Sequence, residues 1–248
     1  QEPNEEDTPE TTIVKVQKLT EHEGRPHARD YDDITQEFVN AAIGDYWARL
    51  CAENPMPDHA QEMALLNASW AKVVQTTGVN LVWTPQLTKL ITNCGLQVHG
   101  KLNGKLCPLM EVMFNFHSSQ TKSVIKKNRA LVEELKEGAN FAFKVCWSPV
   151  EYERRGFLKA PIIQKVINTM WFTNKNDKGI KQHSWFKPFP LSALALVLTA
   201  ASIECCVDEW TTGMCTDIPF TVHDYRGRYE SHLKCLQDFD KATKEFGV

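Results

Sequence analysis

The stretch Pro190 to Trp210, PLSALALVLTAASIECCVDEW, restricts this chain more than any other, because it is the longest apolar run in it. Pro190 can open a helix, since its missing N–H would lack an intrahelical partner there anyway. From Leu191 the apolar residues do not keep to one face. Leu191, Leu194, Leu196, Val197, Leu198, Ala201, Ile203, Cys205 and Val207 cover most of the circumference. A helix apolar all round belongs in a protein core or in a membrane. A spanning helix needs roughly 20 mainly apolar residues with basic or aromatic flanks. This run instead contains Ser192, Thr199 and Ser202 and turns acidic at Glu204, Asp208 and Glu209. The reading is a buried central helix over 191–211 of a soluble protein, stopped by Gly213. No membrane partner is expected.

The rest of the chain supplies enough material to surround such a helix. It has 248 residues, 42% of them hydrophobic, which suits one globular domain or two small ones. The net charge of −3 is uneven. Nine acids against four bases fall in residues 1–32, so the remainder is near neutral and carries no strong field for nucleic acid or anionic lipid. Residues 1–30 are acidic, with Pro3, Pro9 and Pro26 and few large apolar side chains, and read as a disordered arm. Within them Ile13 to Val16 can pair as a strand, although a solvated tail is preferred. Eight cysteines make an even count, but Cys51, Cys94, Cys205 and Cys206 lie in apolar helical patterns, where cysteine packs as a small hydrophobe. A reducing, intracellular compartment is expected. No signal peptide is read, and Gln1 is not a natural first residue, which leaves a removed leader open.

Residues 31–248 read as the helical domain. Asp33 with Gln36 suggests a capping box, followed by Phe38, Ala42, Tyr46 and Leu50 at helical spacing up to about Asn54. Asp58 caps a second helix with Met63, Leu66, Trp70 and Val73, closed by Gly78. Thr84-Pro85 starts a short helix through Leu90 and Ile91. Residues 94–117 hold Gly95, Gly100, Gly104 and Pro108, so a kinked helix or two short ones meeting near Cys107-Pro108 are expected. Ser119 to Lys136 is amphipathic, with Gly138 as its stop. The alternation at Phe141, Phe143 and Val145 suggests an extended segment or small hairpin within 139–158. Pro161 opens a helix through Trp171, and Thr221 with Asp224 caps the last one. The fold class is all-α: a single orthogonal multi-helix domain of about seven or eight helices around the central one.

Several phrases occur in order. They are Arg25 to Asp33, Asn54-Pro-Met-Pro-Asp58, Trp70, Gly100-Lys-Leu-Asn-Gly-Lys105, Lys127 to Glu133 and Ile162 to Phe172. Ala195 to Thr199, Glu209-Trp-Thr-Thr-Gly213 and Tyr225 to Leu236 complete the set. Together they resemble a helical domain family of basidiomycete fungi, a domain of unknown function, over roughly residues 25–240. The resemblance implies the helical fold and a fungal source, and carries no activity with it. The family's serine-glutamine-leucine-arginine-glycine phrase is replaced here by Gly95-Leu-Gln-Val-His-Gly100. If the missing arginine holds phosphate in relatives, this chain has lost it or uses His99.

Chemistry is thinly signalled. Potential metal ligands gather late, at Cys205, Cys206, Cys215, His223, His232 and Cys235, but only His232 and Cys235 share a helical spacing and Cys205-Cys206 point to different faces. No metal site and no cofactor are expected. No G-x-S-x-G elbow or papain-like cysteine occurs. The acids flanking the central helix suit an ion pair with Arg226 or Arg228 better than catalysis. The weak catalytic candidates are Glu204, Glu209, His223 and His232. Lys101, Lys105, Lys122, Lys126, Lys127 and Arg129 would make one basic stripe for nucleic acid if their two segments pack antiparallel, although Glu133, Glu134 and Glu137 dilute it. The loop aromatics Trp171, Trp185, Phe186 and Phe189 are candidate partner-binding residues, with a wrapping role over the central helix preferred. These features point to a non-enzymatic, intracellular and nuclear interaction module that binds protein or nucleic acid. The alternative is an enzyme or small-ligand binder with a polar pocket beside the central helix. Oligomeric state is not legible.

Overall fold

The computed structural model describes residues 12–20, 26–145, 155–199 and 203–246. The architecture is all-α with two small ladders, and the chain divides into two compact units.

The first unit comprises residues 1–50 and 57–95. Helix α1 (Asp33–Ala52) is capped by Asp32, one residue ahead of the expected Asp33. The Asp32 carboxylate accepts the Thr35 N–H at 3.1 Å and the Thr35 hydroxyl at 2.7 Å, so Thr35 supplies two donors that fix the cap. Helix α2 (His59–Thr77) starts in the anticipated capping box: the Asp58 carboxylate accepts the Gln61 N–H at 2.8 Å, and the Gln61 side chain returns to the Asp58 N–H at 2.9 Å. Gly78 ends it with φ +68°. Strand β1 (Thr12–Val14) runs parallel to β2 (Val79–Leu81), and Lys18 bridges Tyr31. The N-terminal arm is therefore not wholly unstructured; residues 1–11 and 21–25 lie outside the described ones. Trp70 is the hub, with its ring 4.7 Å from Phe38 and 4.4 Å from Trp83 and its N–H donating to Asn80 Oδ1 at 3.2 Å.

Helix α3 (Pro85–Phe114) corrects the sequence reading. The expected short helix and the broken segment after it are one helix of 30 residues with Pro108 inside. Local propensity lost to burial: Leu87, Ile91, Val98, Leu102, Leu106 and Met110 recur on one face and are all fully buried.

The second unit comprises residues 51–56 and 96–248. The apolar run forms α7 (Leu191–Thr199) and α8 (Ile203–Asp208), with residues 200–202 outside the described ones. The span Leu191–Asp208 is long and apolar enough to cross a membrane by composition, yet 73% of its described residues are buried inside the protein. α7 packs along α9 (Val222–Phe246), which starts under the Thr221–Asp224 cap. Helix α5 (Pro161–Trp171) packs on α7 and is followed by the single turn α6 (Lys178–Lys181). Strands β3 (Phe143–Val145) and β4 (Arg155–Phe157) pair antiparallel, Phe143 with Phe157, in the stretch read as an extended segment or small hairpin.

Helix α4 (Lys122–Lys136) is tied down by a residue that periodicity does not reveal. Asn128 is buried although its sequence neighbours Lys126, Lys127 and Arg129 are exposed, and its amide donates to His117 O at 2.9 Å and Gly213 O at 2.8 Å. Gly213 has φ +85°, and a Cβ there would lie 2.5 Å from the Ile125 carbonyl oxygen. Gly213→Ala should therefore cost about 2 kcal/mol or more, combining a left-handed backbone with a backbone clash. Gly227→Ala, on α9 with nothing within 4 Å of its Cβ position, should be neutral or stabilise by up to about 1 kcal/mol. Urea unfolding of both variants checks the contrast; equal midpoints would refute it.

Candidate functional site

Two polar pairs, one on α3 and one at the end of α8, meet in the second unit. Asn103 and Cys107 lie four apart on α3, and Cys206 and Glu209 lie three apart at the end of α8, so each pair occupies one helix face. The pairs converge. Cys107 Sγ is 3.1 Å from Cys206 Sγ and 3.3 Å from Glu209 Oε2. Asn103 Oδ1 accepts from Cys206 at 3.2 Å and from Cys107 at 3.4 Å. Cys206 is fully buried, Glu209 is 3% exposed, and Cys107 is half-buried. Burial raises the Glu209 carboxyl above its usual range, opposed by hydrogen bonds from Cys107, Asn103 and the Ile218 N–H. The hydrogen bond to Cys107, with burial, raises the Cys206 thiol. No lysine, arginine or histidine among the described residues forms an ion pair with Glu209. Two thiols, a carboxylate oxygen and an amide oxygen are a donor set for metal or thiol chemistry.

The sequence reading proposed Glu209 as an acid–base residue, Cys206 as core and Cys107 as a helix joint. It missed their meeting because 99 residues separate the two cysteines. The available signal was the spacing of each polar pair. Cys205 and Cys206 do face different ways: Cys205 interacts with Tyr225 of α9, and burial pushes its thiol up to about 11.

The other acid–base candidates form an ion-pair network. His232 Nε2 lies 3.0 Å from Glu204, and Arg228 is 3.5 Å from Glu204 and in direct contact with Asp208. Lys136 donates to Asp208 at 2.5 Å and Tyr225 donates at 3.3 Å. Arg228 thus supplies the expected compensation for acids at a helix C-terminus, while Arg226 pairs with Glu230. His223 is exposed and joins neither group.

The cationic candidates separate. Lys101 and Lys105 are exposed on α3, and Lys105 donates to Thr169 O. Lys122, Lys126, Lys127 and Arg129 are exposed on α4, where Arg129 Nε donates to Thr212 O at 2.8 Å. α4 packs on α8 and on the turn after it (137–142) rather than lying along α3, so the two segments do not form the anticipated antiparallel pair. Beside α4 an open groove of about 680 Å³ has Phe114, Val124, Ala130 and Leu131 as its apolar lining and His117, Lys127 and Glu134 as polar groups. Among the aromatics, Trp171 is fully buried and Phe186 is 5% exposed, which removes both from a partner surface and assigns them to wrapping. Trp171 sits 5.4 Å from Phe189, and Trp185 and Phe189 are half-buried.

His99 is no phosphate ligand. It is 8% exposed, its Nε2–H donates to Pro55 O at 2.8 Å, and its ring packs on Phe220 at 5.0 Å.

The family model for DUF6532, a domain of unknown function, matches residues 41–239. No curated protein and no solved structure matches the chain.

Burial holds the His99 imidazole below its usual range, outweighing the opposing effect of the Pro55 bond. The unfolded chain then takes up the proton first as pH falls. The His99 contribution is intact above about pH 6.5 and is lost progressively below it. The urea midpoint of the wild-type chain should fall between about pH 7.5 and 5.5, and His99→Gln should flatten that slope. Identical slopes for the two proteins would contradict this assignment.

Proposed function

This chain belongs to the DUF6532 family, and we propose that it is a non-enzymatic interaction module of an intracellular, nuclear protein of fungal origin, binding a segment of a partner protein. The groove beside α4 carries this reading. It is open, it offers Phe114, Val124, Ala130 and Leu131 as apolar contacts among polar residues, and exposed Lys122, Lys126 and Lys127 stand on the same helix. Such a surface suits an acidic segment with apolar anchors, in which the anchors give affinity and the charges steer encounter. The ion-pair network supports the same reading, because Glu204 and His232 are committed to one another. The fungal source rests on the ordered phrases described above. The compartment rests on cysteine usage, since no disulfide joins the described cysteines. The burial of Leu191–Asp208 argues against a membrane partner.

Nucleic acid is the weaker reading. Salt-sensitive binding needs several phosphate contacts. Lys105 and Arg129 already hold backbone carbonyls, and Glu133, Glu134 and Glu137 lie within or next to α4.

Selection of displayed acidic amphipathic peptides against the full chain tests the proposal. Selected peptides should lose at least about tenfold in affinity to Leu131→Asp, a loss of 1.4 kcal/mol, and a smaller factor to Lys127→Glu. Random duplex and single-stranded DNA should bind weakly at most. Peptide affinity unchanged by Leu131→Asp sinks the groove. Steeply salt-dependent DNA binding that vanishes in Lys122→Glu/Lys126→Glu/Arg129→Glu replaces this reading with the nucleic-acid one.

A further inference from the structure

We propose that Cys107, Cys206 and Glu209, with Asn103, form a binding site for one zinc-class d10 divalent cation. This inference is independent of the groove.

The geometry comes first. Each residue offers one donor atom. Sγ of Cys107 and Cys206, a Glu209 carboxylate oxygen and Asn103 Oδ1 come from four side chains, two on α3, one on α8 and one in the turn directly after it. The pairs in hydrogen-bond contact are 3.1 to 3.5 Å apart, and the donor atoms of Cys107, Cys206 and Glu209 all lie within 4.8 Å of one another. Tetrahedral zinc, with bonds of about 2.3 Å to sulfur and about 2.1 Å to oxygen, requires donor separations of about 3.4–3.8 Å. The contacting pairs therefore need to open by up to about 0.7 Å, within the reach of small side-chain rotations.

Charge supplies the second argument. A buried carboxylate is normally paired with a cation or bound to a metal. Glu209 is buried, and its known partners are neutral donors: the Cys107 thiol, the Asn103 amide and the Ile218 N–H. Asp217 nearby adds negative potential. A divalent cation neutralises what no side chain among the described residues does. On binding, the two S–H bonds break, both protons leave to solvent, and each thiolate donates a sulfur lone pair. No electrons are exchanged and no oxidant is required.

The donor set also selects the ion. Two thiolates disfavour magnesium and calcium, and the added carboxylate favours a borderline divalent ion over copper(I). Access is available from the Cys107 side, which is half-buried. Ligand spacing in sequence hid the site: each helix contributes donors three or four residues apart, and the two pairs lie about a hundred residues from one another.

Cobalt(II) is the probe. The full chain is reduced, stripped with chelator and titrated without oxygen, first with cobalt and then with zinc. One equivalent of cobalt should produce a thiolate-to-cobalt charge-transfer band with the intense visible bands of tetrahedral coordination, and one equivalent of zinc should erase both. Cys107→Ser and Cys206→Ser should each lower the charge-transfer intensity by about half or more. Glu209→Gln keeps both thiols and nearly the same shape, so it should keep the charge-transfer band while weakening affinity about tenfold or more. Cys235→Ser, exposed on α9, should change nothing. Circular dichroism confirms that each variant is folded, and Glu209→Gln decides alone should the serine variants not fold. The inference is overturned if the reduced wild-type chain gives no charge-transfer band, if Glu209→Gln binds cobalt as tightly as wild type, or if the band survives both serine variants. A Cys107–Cys206 disulfide as the resting state, found by mapping peptides from chain alkylated at lysis, overturns it equally.

Discussion

The second unit depends on a helix pair that is buried over most of its described residues. Ala193, Ala195, Leu196, Val197, Ile203, Cys205 and Val207 are all fully buried, so α7 and α8 offer water almost nothing. Such burial stabilises by about 25 cal/mol per Å² of apolar surface, and it requires every polar atom carried inside to find a partner there. Thr199 satisfies its hydroxyl locally, donating to Ala195 O at 2.7 Å. Ser192 donates to Ala52 O at 2.5 Å, meeting the carbonyl end of a helix that has run out of N–H partners. The acids come only at the end, where the chain leaves the core.

At that end the helix geometry divides the chemistry in two. Glu204 and Asp208 are four apart and share a face, which looks toward Arg228 and His232 of α9 and Lys136 of α4. Cations there offset two negative charges beside the negative pole of a helix. The groups are partly exposed, so solvent screens the pairs, and their main service is to fix α9 and α4 against α8 in one register. Adjacent positions on a helix differ by about 100°. Cys205 therefore meets Tyr225, while Cys206 meets Cys107.

The legibility of the chain follows the range of the forces involved. Asp58 with Gln61, Thr221 with Asp224, Gly78 and Pro161 are local devices, and each acts where its spacing places it, whereas the last apolar helix ends at Asp208, before the expected stop at Gly213. Asp32 rather than Asp33 caps α1 because Thr35 brings two donors to it, a choice between neighbours that pattern alone does not settle. α3 misleads for a different reason. Three glycines and a proline lower its propensity by about 1 kcal/mol per glycine and about 3 for proline, yet a long buried stripe outweighs the sum. The pairing of Thr12 with Val79 and the tie from Asn128 to Gly213 are long-range contacts, and no local signal announces them.

The acidic tail of α8 shows why the candidate metal site stands apart from the ion pairs beside it. Glu209 follows Asp208 by one residue, and that single step turns it away from Arg228 and toward α3. Asp208 gains two cationic partners, and Glu209 gains the Cys107 thiol, the Asn103 amide and the Ile218 N–H. If Glu209 served packing alone, a glutamine would fill the same volume without the cost of a buried charge. A carboxylate is the better group only where positive charge arrives, and two thiols that release their protons to a bound metal complete such a site. The sulfur pair alone would also suit a disulfide. The carboxylate beside Cys107 gives no advantage to an S–S bond, whereas it supplies a cation with a third anionic ligand.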